Sequence, residues 1–247
     1  MVSQLRPVPR AIFFDAGNTL LRMNYPVIAA ELQRHGVRVD AGDVAGAEWR
    51  ARVRLDEEVL ARRGPGRSTE GRGTAGRYLG FLLDELGVGD EAVIQAVAEW
   101  RRAYNPPVGL WNTPDPDARA ALGLVRDAGL AAGVISNSNG SVRSILEQLG
   151  LAPYLAFVLD SAEVGVEKPD PRIFRLGLEQ AGIEPAQAVY IGDLYSVDVL
   201  GARAVGMDAV LLDPGGCWGA RDCPVAPDLV SAVRLVLPGQ SGRVTKG

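Results

Sequence analysis

Apolar and polar positions alternate in blocks along this chain, and the block lengths separate two kinds of segment. The first block is AIFF at 11–14, a short apolar run that stops at Asp15 and gives way to the turn-forming Gly17-Asn18. A run of that length bounded by turn residues reads as a buried strand. From about Pro26 to Trp100 the spacing becomes helical, with segments expected at 26–35, 41–63, 75–87 and 90–104 and almost no strand signal. After Pro106-Pro107 the rhythm changes again. A helix at 115–128 leads to strand 131–135, helix 141–149, strand 156–160, helix 170–181, strand 188–191, helix 195–205 and strand 209–212. Strands alternating with helices of this length imply a parallel sheet covered on both faces, an α/β doubly wound fold. The expected architecture is therefore a core built from residues 1–22 and 110–247, with a helical domain inserted at about 23–109.

Composition narrows the class. With 247 residues, 47% of them hydrophobic and 23% charged, the chain can bury one core plus a smaller appended one. No apolar run approaches the ~20 residues of a membrane span. The opening MVSQLRPVPR lacks a signal peptide's apolar stretch, so a cytoplasmic protein without membrane contact is expected. A net charge of −4 offers no broad basic field for nucleic acid. Self-association to a homodimer is left open. Cys217 and Cys223 lie close together in a Gly/Pro-rich segment and read as loop thiols.

Scarcity of certain residues matters as much as abundance. His35 is the single histidine, which removes Ser-His-Asp and Cys-His mechanisms and any multi-histidine metal site. It falls where a helix ends at Gly36 and reads as a residue of the last turn. Lys168 and Lys246 are the only lysines. The segment 62–77 carries five arginines interleaved with five glycines. It reads first as a solvated inter-helix loop and second as an anion-binding lid.

In open parallel sheets, ligands bind at the carboxyl ends of the strands. The first polar residues there are Asp15, Ser136-Asn137, Asp160-Ser161 and Asp193, which should converge on one crevice. Each alone could be a cap or turn former. Together, Asp15, Asp193 and Asp198 make an oxygen-rich site suited to Mg²⁺.

Four segments, FFDAGNTLL (13–21), VISNSNG (134–140), EKPDPRIF (167–174) and IGDLYSVDVLGA (191–202), resemble in order the signature motifs of the haloacid dehalogenase superfamily. The resemblance covers about 10–212 and implies a Mg²⁺-dependent hydrolase, most simply a phosphatase acting on a small phosphorylated substrate. Asp15 would be the nucleophile, forming an aspartyl-phosphate. Ser136 and the backbone after it would hold a phosphoryl oxygen, and Lys168 would neutralise nucleophile and transferring group. Asn137, Gly17 and Asn18 would border the substrate. Asp15, the Gly17 carbonyl, Asp193 and Asp198 would hold the metal. Members with a helical cap carry it between the first and second motifs, where this chain has its insertion.

One departure stands out. Phosphatases of this superfamily usually place a second Asp two residues after the nucleophile as general acid and base; here Gly17 stands there. The Schiff-base phosphonate branch needs a cap lysine, and residues 22–112 contain none. Dehalogenases that attack carbon have a neutral residue where this chain has Asp193, although cap arginines such as Arg50, Arg52 and Arg54 could bind a haloacid carboxylate. 2-Haloacid dehalogenation is therefore one alternative, and a degenerate member that binds a phosphorylated ligand or partner with little turnover is another. Without an acid at 17, acyl or aryl phosphates should be cleaved better than alkyl ones.

Overall fold

The computed structural model describes residues 8–62, 69, 71–104 and 109–237. Strand β1 (Ala11–Phe14) is buried throughout, and a two-residue strand β2 (Leu21–Arg22) leads from it into four helices: α1 (Tyr25–Arg34), α2 (Ala41–Leu55), α3 (Arg72–Glu85) and α4 (Glu91–Tyr104). Strand β3 (Thr113–Pro114) returns antiparallel to β2, so a short ribbon carries the chain into and out of the insertion. The α/β part then runs α5 (Ala118–Asp127), β4 (Ala131–Ser136), α6 (Val142–Gln148), β5 (Phe157–Asp160), α7 (Ser161–Val164), α8 (Pro171–Ala181) and β6 (Ala188–Gly192). It finishes with α9 (Leu200–Arg203), β7 (Asp208–Leu212), β8 (Val225–Ala226) and α10 (Leu229–Val236).

The main sheet is six-stranded, in the order β5-β4-β1-β6-β7-β8, and every pairing is parallel. The chain builds outward from β1 on one side and returns to build outward on the other, which is the doubly wound arrangement. The switch falls between β1 and its two neighbours, so the loops after β1, β4 and β6 open side by side.

Alternation along β1 sends Ile12 and Phe14 to one apolar cluster, with Leu122 of α5, Leu146 of α6 and Leu229 of α10. Ala11 and Phe13 go to another, with Phe174 of α8 and Ala202 of α9. Gly133 in β4 is dictated by the second layer, because a Cβ there would lie 2.3 Å from the Phe157 ring.

The helices end where their chemistry stops them. Asp40 and Asp43 form a capping box at the start of α2. Asp170 and Pro171 open α8, and Gly182 closes it in the left-handed region. The helices of the insertion surround a third apolar cluster that includes Ile28, Leu32, Val44, Leu55, Leu82 and Val97. Fully burying such side chains stabilises by roughly 1.5–3 kcal/mol each.

Helix α2 is shorter than the expected 41–63: it passes at Asp56 into a π-type turn, Asp56–Leu60. The helix expected at 195–205 likewise opens as a π-type turn, Tyr195–Val199, ahead of α9. Of the Arg/Gly-rich segment 62–77, residues 63–68 and 70 lie outside the described residues; its C-terminal part forms the start of α3. Residues from 238 to the C-terminus also lie outside them. His35 caps the end of α1 and pairs with Glu31 at 3.3 Å. Cys217 and Cys223 are free thiols in the loop between β7 and β8. Among the described residues, no helix is long and apolar enough to cross a membrane.

Candidate active site

Asp15, one residue past β1, is hydrogen-bonded through its backbone N–H to the Ile191 carbonyl of β6, which fixes it at the sheet's carboxyl edge. The buried Lys168 ammonium donates to Asp15 Oδ1 at 2.6 Å, to Asp198 Oδ1 at 2.8 Å and to the Tyr190 hydroxyl at 2.9 Å. Tyr190 in turn donates to the Ile135 carbonyl at 2.7 Å. All three lysine protons therefore have acceptors, and the side chain is locked. Asp198 uses its other oxygen, Oδ2, to accept the backbone N–H groups of Asp193 (3.1 Å) and Leu194 (3.0 Å). That clamp shapes the loop which presents Asp193.

Asp15, Asp193 and Asp198 are all buried, and each brings a carboxylate oxygen within 4.8 Å of the others. Burial pushes the Asp15 carboxyl up to about 6 against the opposing pull of Lys168. Burial raises Asp193 well above the ordinary carboxylate range, with Arg52 opposing. Lys168 moves up from its usual value because Asp15 and Asp198 outweigh its own desolvation.

The insertion contributes directly. Arg52 of α2 is held on Glu48 by Nε (3.0 Å) and Nη2 (2.6 Å), and its Nη1 lies 3.4 Å from Asp193 Oδ2. Glu48 is fully buried and also accepts the hydroxyls of Tyr25 (2.9 Å) and Tyr78. Asn18, in the left-handed region at φ 55, ties the two parts together. Its amide donates to Tyr78 (3.2 Å) and reaches Asp193 (3.5 Å), while its carbonyl accepts from Trp111 Nε1 (2.9 Å). The resulting cleft, about 230 Å³, has Asp15, Ser136, Lys168 and Asp193 at its base and Arg52, Tyr78 and Trp111 among its walls.

The model of the haloacid dehalogenase-like hydrolases matches residues 9–206 of this chain. The chain belongs to that family. The bovine haloacid dehalogenase-like hydrolase domain-containing protein 3 is 32% identical over 206 residues, 82% of this chain and 81% of the relative. A glyceraldehyde 3-phosphate phosphatase of Methanopyrus kandleri is 31% identical over 209 residues, 83% and 84% of the two chains. The crystal structure of a 2-haloacid dehalogenase from Pseudomonas syringae aligns over 93% of this chain and 98% of its own, with 26% identity and a TM-score of 0.54.

Within this hydrolase, some residues singled out from sequence take other positions than the strand-end rule suggests. Asp160 and Ser161 stand behind the cleft. Asp160 accepts from the N–H groups of Gly140 (3.0 Å), Val142 (3.4 Å) and Ala162 (3.0 Å), and Ser161 Oγ bridges the backbone of Ser138. They shape the 137–142 loop because buried backbone N–H groups need acceptors.

The Asn137 side chain accepts from the Lys168 N–H (2.7 Å) and donates to the Lys168 carbonyl (2.9 Å) and to Thr69 (2.8 Å). Its amide, like that of Asn18, is committed to protein partners. Ser136 is buried at the end of β4 and makes one long contact, Oγ to the Asn137 carbonyl at 3.3 Å. Gly17 has an ordinary negative-φ backbone, and a Cβ there would rest 3.4 Å from the Trp111 ring.

Sequence reasoning missed Tyr190, Glu48, Tyr78 and Trp111. Tyr190 had a usable signal, since a tyrosine inside a buried strand needs a partner for its hydroxyl.

Two further contacts run from the end of α2 to the α/β core. Asp56 accepts from Ser196 Oγ (2.5 Å) and N–H (3.1 Å), and Glu57 pairs with Arg221 at 2.5 Å. Burial raises Asp56 from 3.8 to about 6, the Ser196 hydrogen bonds opposing. A folded-state value above the unfolded one means the fold holds this proton more tightly, so the contribution is complete at low pH and is lost as pH rises from about 4 to 6. The stability of wild type relative to Asp56→Asn should therefore fall by roughly 1–3 kcal/mol across that window. Urea unfolding of both proteins at several pH values measures it; parallel curves would show that Asp56 does not titrate with folding.

Proposed function

We propose that this hydrolase is a Mg²⁺-dependent phosphatase of small phosphorylated metabolites, working through an aspartyl-phosphate on Asp15, with the helical insertion 23–109 serving as a cap on the core 1–22 and 110–247. The observation that carries the reading is a charge imbalance. Four buried carboxylates, Asp15, Asp193, Asp198 and Glu48, gather around two buried cations, Lys168 and Arg52. Isolated buried charge is expensive, and a divalent cation among oxygen donors restores balance. The donor set, all hard oxygen, fits Mg²⁺. Asp15, Asp193, the Gly17 carbonyl and Asp198 would hold it. Bound there, it would supply charge neutralisation for the phosphoryl oxygens and the nucleophile.

The chain's own residues would do the rest. Lys168 holds Asp15 Oδ1, fixing the carboxylate so that its other oxygen can form a bond to phosphorus. The P–O bond to the leaving group breaks, and that group departs with the electron pair. Water then attacks phosphorus, releasing inorganic phosphate and restoring Asp15. Ser136 and the backbone after it would hold a phosphoryl oxygen, and Lys168 offsets its developing charge. Tyr190 and Asn137 act one step removed by holding Lys168. Closing the cleft with α2 and α3 would exclude water during the first step.

The purified protein, assayed with phosphate esters and short 2-haloacids in Mg²⁺ and in EDTA, should release phosphate in Mg²⁺ alone. Halide release indifferent to EDTA would replace this reading with dehalogenation. No turnover on any compound, alongside saturable binding of a phosphorylated one, would replace it with a binding role.

A further inference from the structure

Gly17 is where an acid for the leaving group would stand, and the structure shows what occupies that direction. A Cβ built on Gly17 points at the pyrrole ring of Trp111, 3.4 Å from Cδ1, 3.6 Å from Nε1 and 3.9 Å from Cγ. The indole is held there on two sides. Its Nε1 donates to Asn18 Oδ1 at 2.9 Å, and its ring stacks on Tyr78 with centroids 6.0 Å apart and planes 16° from parallel. Tyr78 is itself pinned by Glu48 and Asn18. Both rings line the same cleft as Asp15, and Leu55, Val142 and Ile145 line it too.

Among the described lining residues, the carboxylates are Asp15, Asp193 and Asp198, the three that surround the metal position, and there is no histidine. Trp111 Nε1 is committed to Asn18, and Tyr78 donates to Glu48. On the side of Gly17 the cleft thus presents the Trp111 ring, and no carboxyl or imidazole beyond the metal-facing three stands among the described lining residues to protonate a leaving group.

We propose that Trp111, braced by Tyr78, is the specificity-determining wall for the leaving group, and that the substrates are phosphate monoesters of small aromatic alcohols. This rests on the phosphatase reading above. An alkoxide whose parent has a pKa near that of water, roughly 15.7, cannot leave readily without a proton. A phenoxide, with a parent pKa of about 10, can. In the step concerned, an Asp15 oxygen bonds to phosphorus and the P–O(aryl) bond breaks. The electron pair leaves with the aryloxide, which then takes a proton from solvent. An aromatic leaving group also packs favourably against an indole held rigid beforehand.

The test uses the full chain with Mg²⁺ and compares phenyl phosphate with propyl phosphate. In parallel, calorimetry follows binding of the non-hydrolysable phenylphosphonate and propylphosphonate. Wild type should prefer the aryl compound in both kcat/KM and affinity. Trp111→Leu should lower the aryl-to-alkyl ratio roughly tenfold in each, about 1.4 kcal/mol. Trp111→Phe, which keeps a ring over Gly17, should retain most of the preference. Equal ratios in wild type and Trp111→Leu, or faster cleavage of propyl phosphate by wild type, would overturn the assignment while leaving the phosphatase reading standing. Absence of phosphate release from either ester would overturn the aryl-ester assignment, whereas the phosphatase reading falls only if the wider panel of phosphate esters also gives no phosphate. The phosphonate affinities would then still report whether Trp111 selects aromatic ligands.

Discussion

Asp15→Asn is expected to reduce phosphate release by on the order of 10⁴-fold or more, to the level of a no-enzyme control. The substitution keeps the shape of the side chain and its place beside the Lys168 ammonium, 2.6 Å from Oδ1 in wild type, but removes the oxygen nucleophile. Folding should survive, because Lys168 retains Asp198 and Tyr190 as acceptors. The variant's melting temperature in EDTA should be no lower than that of wild type, since one of three crowded carboxylates has lost its charge. Phosphate release by the variant within tenfold of wild type would rule out a covalent intermediate on Asp15. A collapse of the melting temperature would show instead that the carboxylate is needed for folding, and the loss of turnover would then say nothing about chemistry.

The largest effect on stability should come from Glu48→Ala, a change far from any motif. Glu48 is fully buried and accepts hydrogen bonds from Arg52, Tyr25 and Tyr78. Truncating it leaves a buried guanidinium and two buried hydroxyls without their acceptor. Breaking a buried pair from one side typically destabilises by about 3–5 kcal/mol. For a chain of this size that corresponds to a drop of roughly 10 °C in Tm. Glu48→Gln, which can still accept from the two tyrosines, should lose less. Urea denaturation of the three proteins checks the ranking, and a loss below about 1 kcal/mol for Glu48→Ala would mean the network is not held as described.

These two residues also mark what can be read from a sequence of this kind. Asp15 was legible because a strand that must be buried on both faces shows as an unbroken apolar run, and the first polar residue after it lies at the sheet's edge. The same logic found Ser136 and Asp193, and the alternation of helix and strand lengths led to the doubly wound sheet. Glu48 and Arg52 were not legible in the same way. An acidic and a basic residue four apart on a helix normally make a solvated surface pair, and only the packing of α1, α3 and the core around α2 turns this one inward. Arg52 could be suspected of binding an anion; its reach to Asp193 could not. Strand β8 is two residues long and leaves no periodic signal, and α10 follows it in a region where no motif directed attention. The π-type turn at Asp56 is equally invisible, since an extra residue per turn alters backbone bonding without changing composition.

The row formed by Arg52, Asp56 and Glu57 bears on modularity. All three lie at or just beyond the end of α2, and their partners, Asp193, Ser196 and Arg221, belong to two separate loops of the α/β part. The insertion and its host are thus keyed to each other by complementary charges rather than joined through the β2–β3 ribbon alone. A chimera grafting a foreign insertion onto this host would leave Ser196 without the carboxylate it donates to and Arg221 without its counter-charge. Transplanting helices α1–α4 elsewhere would bury Asp56 against a mismatched surface. Successful exchange should require positions 196 and 221 to travel with the helices, which makes the unit of recombination larger than the contiguous stretch of chain.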